Sequence, residues 1–170
     1  SGTSERLTEA GFRPARADNR LVAAFAMSEE DITDALAAPW VMIGSDSILE
    51  PDHNNHPRSA GCFSRVLGRY VRERGVLSLQ DALARMTILP AQLLEAASPA
   101  MARRGRLRGG SVADITMCDP GQITDRATVA DPGQESDGVV HVMVSGRLVR
   151  SGGVTDRTVR PGVPILRGES

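Results

Sequence analysis

Lysine is absent: every one of the 20 basic residues is arginine. That excludes a Schiff-base lysine and a P-loop lysine in the same stroke. Aromatic residues are scarce at 3%, so any core must be aliphatic. An excess of either charge is also missing. Twenty basic residues face 21 acidic ones, for a net charge of −1. No positive surface is available for nucleic acid or an anionic membrane, and neither is expected as a partner. The two cysteines, Cys62 and Cys118, lie far apart with no C-x-x-C motif. This pattern predicts reduced thiols and a cytoplasmic setting. The apolar runs at 21–27 and 39–44 fall far short of the ~20 residues of a membrane span, and no signal-peptide pattern opens the chain. The 170 residues suffice for one compact domain or one and a fraction. They do not suffice for a complete (β/α)8 barrel, which takes about 250. The first residue is Ser1 rather than Met, which is read as processing or as a piece of something longer.

What is present is a 41% hydrophobic chain with 17 Gly and 10 Pro, patterned in two styles. Residues 1–20 are polar and show no clear period. Leu21 to Ala26 is a short continuous apolar run, as in a strand buried on both faces. Ser28-Glu29-Glu30-Asp31 predicts a capped helix start, with Ile32, Ala35 and Leu36 on one face and Pro39 ending it. Trp40-Val41-Met42-Ile43-Gly44 predicts a second strand, parallel to the first across a helical crossover. Residues 47–61 read as a long loop. Phe63, Val66, Leu67, Tyr70 and Val71 then recur at helical spacing up to Gly75. Ser78 and Pro90 mark two further helix starts. From about residue 105 the chain becomes short strands and turns: 112–118, 139–144 and 148–149, with Ser145-Gly146 as a hairpin turn. A domain boundary is therefore placed near residue 105.

Asp46 is the sharpest single candidate. It follows the end of a buried strand, where α/β proteins carry their catalytic side chains. An aspartate that merely caps a turn fits the position equally well. Arg58, in His56-Pro57-Arg58, has the planar guanidinium of a bidentate carboxylate clamp, but on composition alone it reads better as a solvated loop arginine. His53 and His56 are better read as exposed loop histidines than as an H-x-x-H metal pair. His141, in a Val-rich strand, reads as structural. Arg106-Leu107-Arg108-Gly109-Gly110 reads as a turn into a strand rather than a nucleic-acid segment. Ser45 forms no nucleophile elbow. Cys62 reads as a small buried hydrophobe.

Taken in order, a larger pattern emerges. It comprises Gly44-Ser45-Asp46, His56-Pro57-Arg58 and Arg65-Val66-Leu67-Gly68-Arg69-Tyr70-Val71-Arg72-Glu73. It continues through Leu77-Ser78-Leu79, Met86-Thr87, Pro90-Ala91, Ala113-Asp114-Ile115, Asp119-Pro120, Asp125-Arg126-Ala127-Thr128 and Gly138-Val139. This set resembles the C-terminal third of the N-acyl-D-amino-acid deacylases (D-aminoacylases) of the amidohydrolase superfamily, from about residue 21 to 162. The resemblance implies an α/β fold. Residues 1–105 would be the last two β/α units of a metal-dependent TIM barrel, and 106–170 part of a small β-sandwich. It implies cleavage of the amide bond of an N-acyl-D-amino acid, a small-molecule substrate, by a zinc-activated water. Asp46 would be the catalytic base and then the acid for the departing amine, and Arg58 would hold the α-carboxylate. The family's H-x-H and further histidines have no counterpart here. The resemblance thus implies no metal ligand within this chain, Asp46 excepted, no tight zinc in the chain alone, and a missing N-terminal part of the barrel as its partner. A related cyclic-amide hydrolase, or a non-catalytic or complementing fragment, are the alternative readings.

Overall fold

The computed structural model describes residues 7–18, 26–47 and 56–168. Among these residues, five α-helices precede a four-stranded antiparallel sheet in this order: α1 (Glu9–Ala17), α2 (Glu29–Ala37), α3 (Arg58–Arg65), α4 (Leu79–Met86) and α5 (Ile88–Glu95). Helix α3 runs on without a break as a π-helix over Val66–Glu73, and a 3-10 turn spans Pro99–Arg103. The sheet is β1 (Ile115–Cys118), β2 (Val139–Val144), β3 (Arg147–Ser151) and β4 (Val154–Thr155), with neighbours in sequence order.

Local chemistry accounts for most helix boundaries. Ser28 and Asp31 form the reciprocal capping box that opens α2. The Ser78 hydroxyl accepts the Asp81 N–H at 3.0 Å to open α4. Gly75 stops the π-helix with φ +61°, a conformation that costs glycine nothing. Helix α1 has no counterpart in the sequence reading. Thr8 caps it by accepting the Gly11 N–H at 3.2 Å, and the helix tolerates Pro14 in its interior. Helix α3 also begins earlier than the periodicity indicates. Pro57, with φ −52°, is preset for a helical turn and places Arg58 on the first turn rather than in the loop.

The sheet follows its turn chemistry. Ser145 and Gly146 both have positive φ, the mirror-image turn that matches strand twist, and they join β2 to β3. Gly152 and Gly153 do the same between β3 and β4, a short return strand absent from the sequence reading. Glu135 ties the sheet's far edge by accepting from Arg150 and from Thr155, the latter at 2.9 Å.

The expected parallel strand pair is described only in its second half. Residues 41–47 form no sheet pairing among the described residues, and the expected partner at 21–26 lies, but for Ala26, outside them. A strand is stable only when neighbours satisfy its backbone. Among the described residues the backbone of this segment is instead tied by the Ile43 N–H to the Arg85 carbonyl at 3.1 Å, and by donors from α3 to its Gly44 and Asp46 carbonyls. Trp40, at the start of this segment, is 78% exposed.

The core gathers Leu36, Val66, Leu67, Tyr70, Leu77, Ala82 and Ile123, with Cys118 and Val139 packed against it. Residues from both sides of position 105 thus meet in one cluster. Arg85 is 8% exposed, and its guanidinium donates to the carbonyls of Leu36 and Ala38, each at 2.7 Å. Both acceptors lie at the C-terminal end of α2, where a cation suits the negative end of the helix dipole; the Ala38 carbonyl also accepts the Val41 N–H at 3.3 Å. Arg85→Met is expected to remove both bonds, to deprive the Leu36 carbonyl of its buried cationic donor, and to cost about 2 kcal/mol in urea unfolding at neutral pH. An unchanged midpoint would show that the pair of bonds contributes nothing net.

Candidate functional site

Asp46 and Arg58 are brought together. The Arg58 Nε–H donates to the Asp46 main-chain oxygen at 2.9 Å. The Nη2 of the same guanidinium lies 2.7 Å from Asp46 Oδ2. Asp46 itself stands in the left-handed region, with φ +48°. Aspartate is one of the few residues that accept this conformation. The carboxylate projects outward from the extended segment, its side chain 82% exposed. Sequence spacing alone placed these two residues 12 apart across a loop; the fold makes them one unit.

His56 and Cys62 complete the cluster. The Arg58 N–H donates to His56 Nδ1 at 3.1 Å, so the imidazole caps the first turn of α3. Burial is the main cause that holds this imidazole below its usual pKa, the Arg58 charge adds to it, and the Asp46 charge opposes both. Cys62, one turn further on, directs its thiol to the Gly44 carbonyl at 3.7 Å. Burial pushes the Cys62 thiol up, against the Arg58 charge, so it stays a protonated packing group rather than a nucleophile.

The His56 contact has a pH consequence. A neutral Nδ1 accepts the Arg58 N–H; an imidazolium cannot. The stabilisation is complete above the unfolded-state pKa of about 6.5 and is lost as pH falls through the lowered folded value. His56→Asn keeps an acceptor and removes the titration. Melting curves between about pH 7 and about pH 5 are expected to fall less steeply for the variant than for the parent. Equal slopes would remove His56 from the acid sensitivity of α3.

The other residues singled out in the sequence are placed elsewhere. His53 lies outside the described residues. His141 sits in β2, where its Nδ1 accepts the Gly152 N–H at 3.4 Å, a hairpin contact. Cys118 is packed against the core, and burial pushes its thiol up as well. Arg106 donates to Glu95 at 2.6 Å and to the Ala102 carbonyl, which fixes the 105–110 turn to the end of α5. It therefore presents no free guanidinium for nucleic acid.

One arrangement escaped the sequence reading. Gly61, Arg65, Gly68 and Arg72 recur at helical spacing, and they form the seam on which segment 119–128 rests. A Cβ on Gly68 would lie 2.6 Å from the Ile123 carbonyl oxygen. Arg72 donates to that same oxygen at 2.6 Å, and Arg65 pairs with Asp125 at 3.1 Å. Beside the seam lies a shallow groove of about 140 Å³ lined by Arg65, Gly68, Arg69, Glu73, Thr124 and Asp125. Its charges are spent: Arg65 on Asp125, Glu73 on Arg72 at 3.2 Å, and Arg69 on Glu29 at 3.1 Å. The alternation of small residue and arginine along one face was the signal that could have revealed it.

No group of three or more His, Cys, Asp or Glu that could hold a metal occurs among the described residues. The Asp46 carboxylate is committed to Arg58, and His56 Nδ1 to a backbone N–H. These residues do not by themselves fit a zinc site, which takes about three protein ligands. No helix among the described residues is long and apolar enough to cross a membrane.

The sequence profile of the amidohydrolase family matches residues 7–150. The N-acyl-D-glutamate deacylase of Alcaligenes xylosoxydans xylosoxydans is 43% identical over 125 residues, 74% of this chain and 24% of that protein. The N-acyl-D-aspartate deacylase of the same organism is 37% identical over 171 residues, 98% of this chain and 33% of that protein. The solved N-acyl-D-glutamate deacylase of Bordetella bronchiseptica, complexed with zinc and a phosphonate that mimics the tetrahedral intermediate, aligns with a TM-score of 0.70 at 41% identity. It covers 85% of this chain and 28% of its own. The chain spans roughly a quarter to a third of the length of the curated relatives it matches.

Proposed function

Because the chain belongs to the amidohydrolase family, we propose that it is the C-terminal part of a metal-dependent N-acyl-D-amino-acid deacylase. In this reading, residues 1–105 contribute the last two β/α units of a (β/α)8 barrel, and residues 106–170 contribute part of a β-sandwich. Asp46 takes the proton of the attacking water and returns it to the amine that leaves. Arg58 receives the substrate's α-carboxylate, whose planar fork matches a guanidinium. The observation that carries the reading is the direct contact between the two, at 2.7 Å. It sets a proton carrier beside a carboxylate binder, the two groups an N-acyl amino acid needs close together. Zinc is the cofactor proposed for the whole protein, and its ligands would come from residues other than those described.

A specific observation also supports the complementing-fragment form of this reading. Leu107, Trp40 and Val154, at 86%, 78% and 74% exposed, are apolar side chains that a complementing fragment would have to cover. The missing part of the barrel is the partner proposed for that surface. The test is hydrolysis by the whole protein, loaded with zinc, of N-acetyl-D-glutamate, N-acetyl-D-aspartate and their L-enantiomers. The D-substrates are expected to be cleaved preferentially, and failure to cleave any of the four would overturn the assignment. The chain alone is expected to be inactive and to retain no stoichiometric zinc after dialysis. Tight zinc in it would contradict the ligand argument.

A further inference from the structure

We propose that Arg58 is a positioning residue for Asp46: one edge of its guanidinium fastens both the main-chain carbonyl and the carboxylate of Asp46, leaving the Nη1 side to meet the substrate. The inference rests on the deacylase reading above and goes beyond it, because a clamp for the substrate's carboxylate has no need to hold Asp46 as well. Two contacts define the grip. Nε–H donates to the Asp46 carbonyl at 2.9 Å, and Nη2 sits 2.7 Å from Oδ2. Together they fix the backbone of a residue held at φ +48° and the direction of its side chain. Arg58 is in turn anchored, since its own N–H is bonded to His56 on the first turn of α3. The unit thus ties an extended segment to a helix.

Stability does not explain the pair. Asp46 is 82% exposed and Arg58 37% exposed, and ion pairs in such settings contribute little to folding. What the grip supplies is orientation. The two contacts use Nε and Nη2, and a second carboxylate bound at Nη1 would leave both of them in place. A ligand bound there would hold its carboxylate and Asp46 on opposite edges of one rigid plane.

The test separates positioning from substrate binding. Lysine keeps the charge but has no fork. In the zinc-loaded whole protein, Arg58→Lys is expected to lower kcat by about a hundredfold for N-acetyl-D-glutamate and equally for its α-carboxamide analogue. A rise in KM for the carboxylate substrate alone, with kcat unchanged for both, would overturn the proposal. A second measurement needs no activity. In the ¹⁵N-labelled chain, the Arg58 Nε–H is expected to exchange with solvent about tenfold more slowly than that of Arg108, as a bonded donor should. Equal exchange rates would refute the grip whatever the enzyme does. Slow exchange in a protein that hydrolyses no N-acyl amino acid would instead leave the grip standing and sink the deacylase reading.

Discussion

Asp46→Asn is expected to lower the kcat of the zinc-loaded whole protein on N-acetyl-D-glutamate by about 10²–10⁴-fold, the usual worth of a placed acid–base group. Asparagine is the informative replacement because it shares aspartate's tolerance of the left-handed region, where Asp46 sits at φ +48°. It also keeps the main-chain carbonyl to which the Arg58 Nε–H donates. The backbone is therefore expected to stay in place while the proton carrier is lost. KM should change little, since the carboxylate binder remains. An unchanged melting temperature in the chain, combined with lost turnover, is the predicted pattern. Retained turnover would remove Asp46 from the chemistry. A parallel loss of stability and activity would make its role structural.

The second large effect concerns folding, and it centres on Ile123. Gly138 and Gly68 approach this residue from opposite elements. A Cβ at Gly138 would lie 2.5 Å from the Ile123 nitrogen, and one at Gly68 2.6 Å from the Ile123 oxygen. Both obstacles are backbone atoms, which cannot swing aside. Gly138 also has φ +75°, a strained conformation for any residue with a side chain. Ile123 is 2% exposed and belongs to the core that joins the helices to the sheet. Gly138→Ala is expected to cost about 4 kcal/mol or more, and Gly68→Ala nearly as much, by forcing the 119–128 segment off α3 and the π-helix. Denaturant titration checks both. A double variant that costs no more than either single one would show that the two act by the same separation, because sites sharing one neighbour are not additive.

The legible parts were those governed by neighbours in sequence. The Ser28 capping box, the Ser78 cap, the Gly75 stop and the Ser145-Gly146 turn follow from side chains and glycines within three or four residues of the backbone they serve, and each was found where expected. Strand β2, at Val139–Val144, was legible for the same reason. Asp46 and Arg58 were legible one at a time, as residue types in motifs. The pairing expected for 40–44 depends on a partner at 21–26 that lies, but for Ala26, outside the described residues, and a local pattern does not supply such a partner.

Only the tertiary structure decided how these pieces meet. It placed Arg58 on the first turn of a helix, turned its guanidinium back onto Asp46, and set His56 against the Arg58 N–H. It joined the halves on either side of residue 105 through Ile123, against two glycines and Arg72. The division has a physical cause. Caps and turns are local hydrogen-bond problems, solved within a few residues. A contact across 12 residues, or across the 51 between Arg72 and Ile123, depends on where whole elements pack, and that is set by the burial of a shared core.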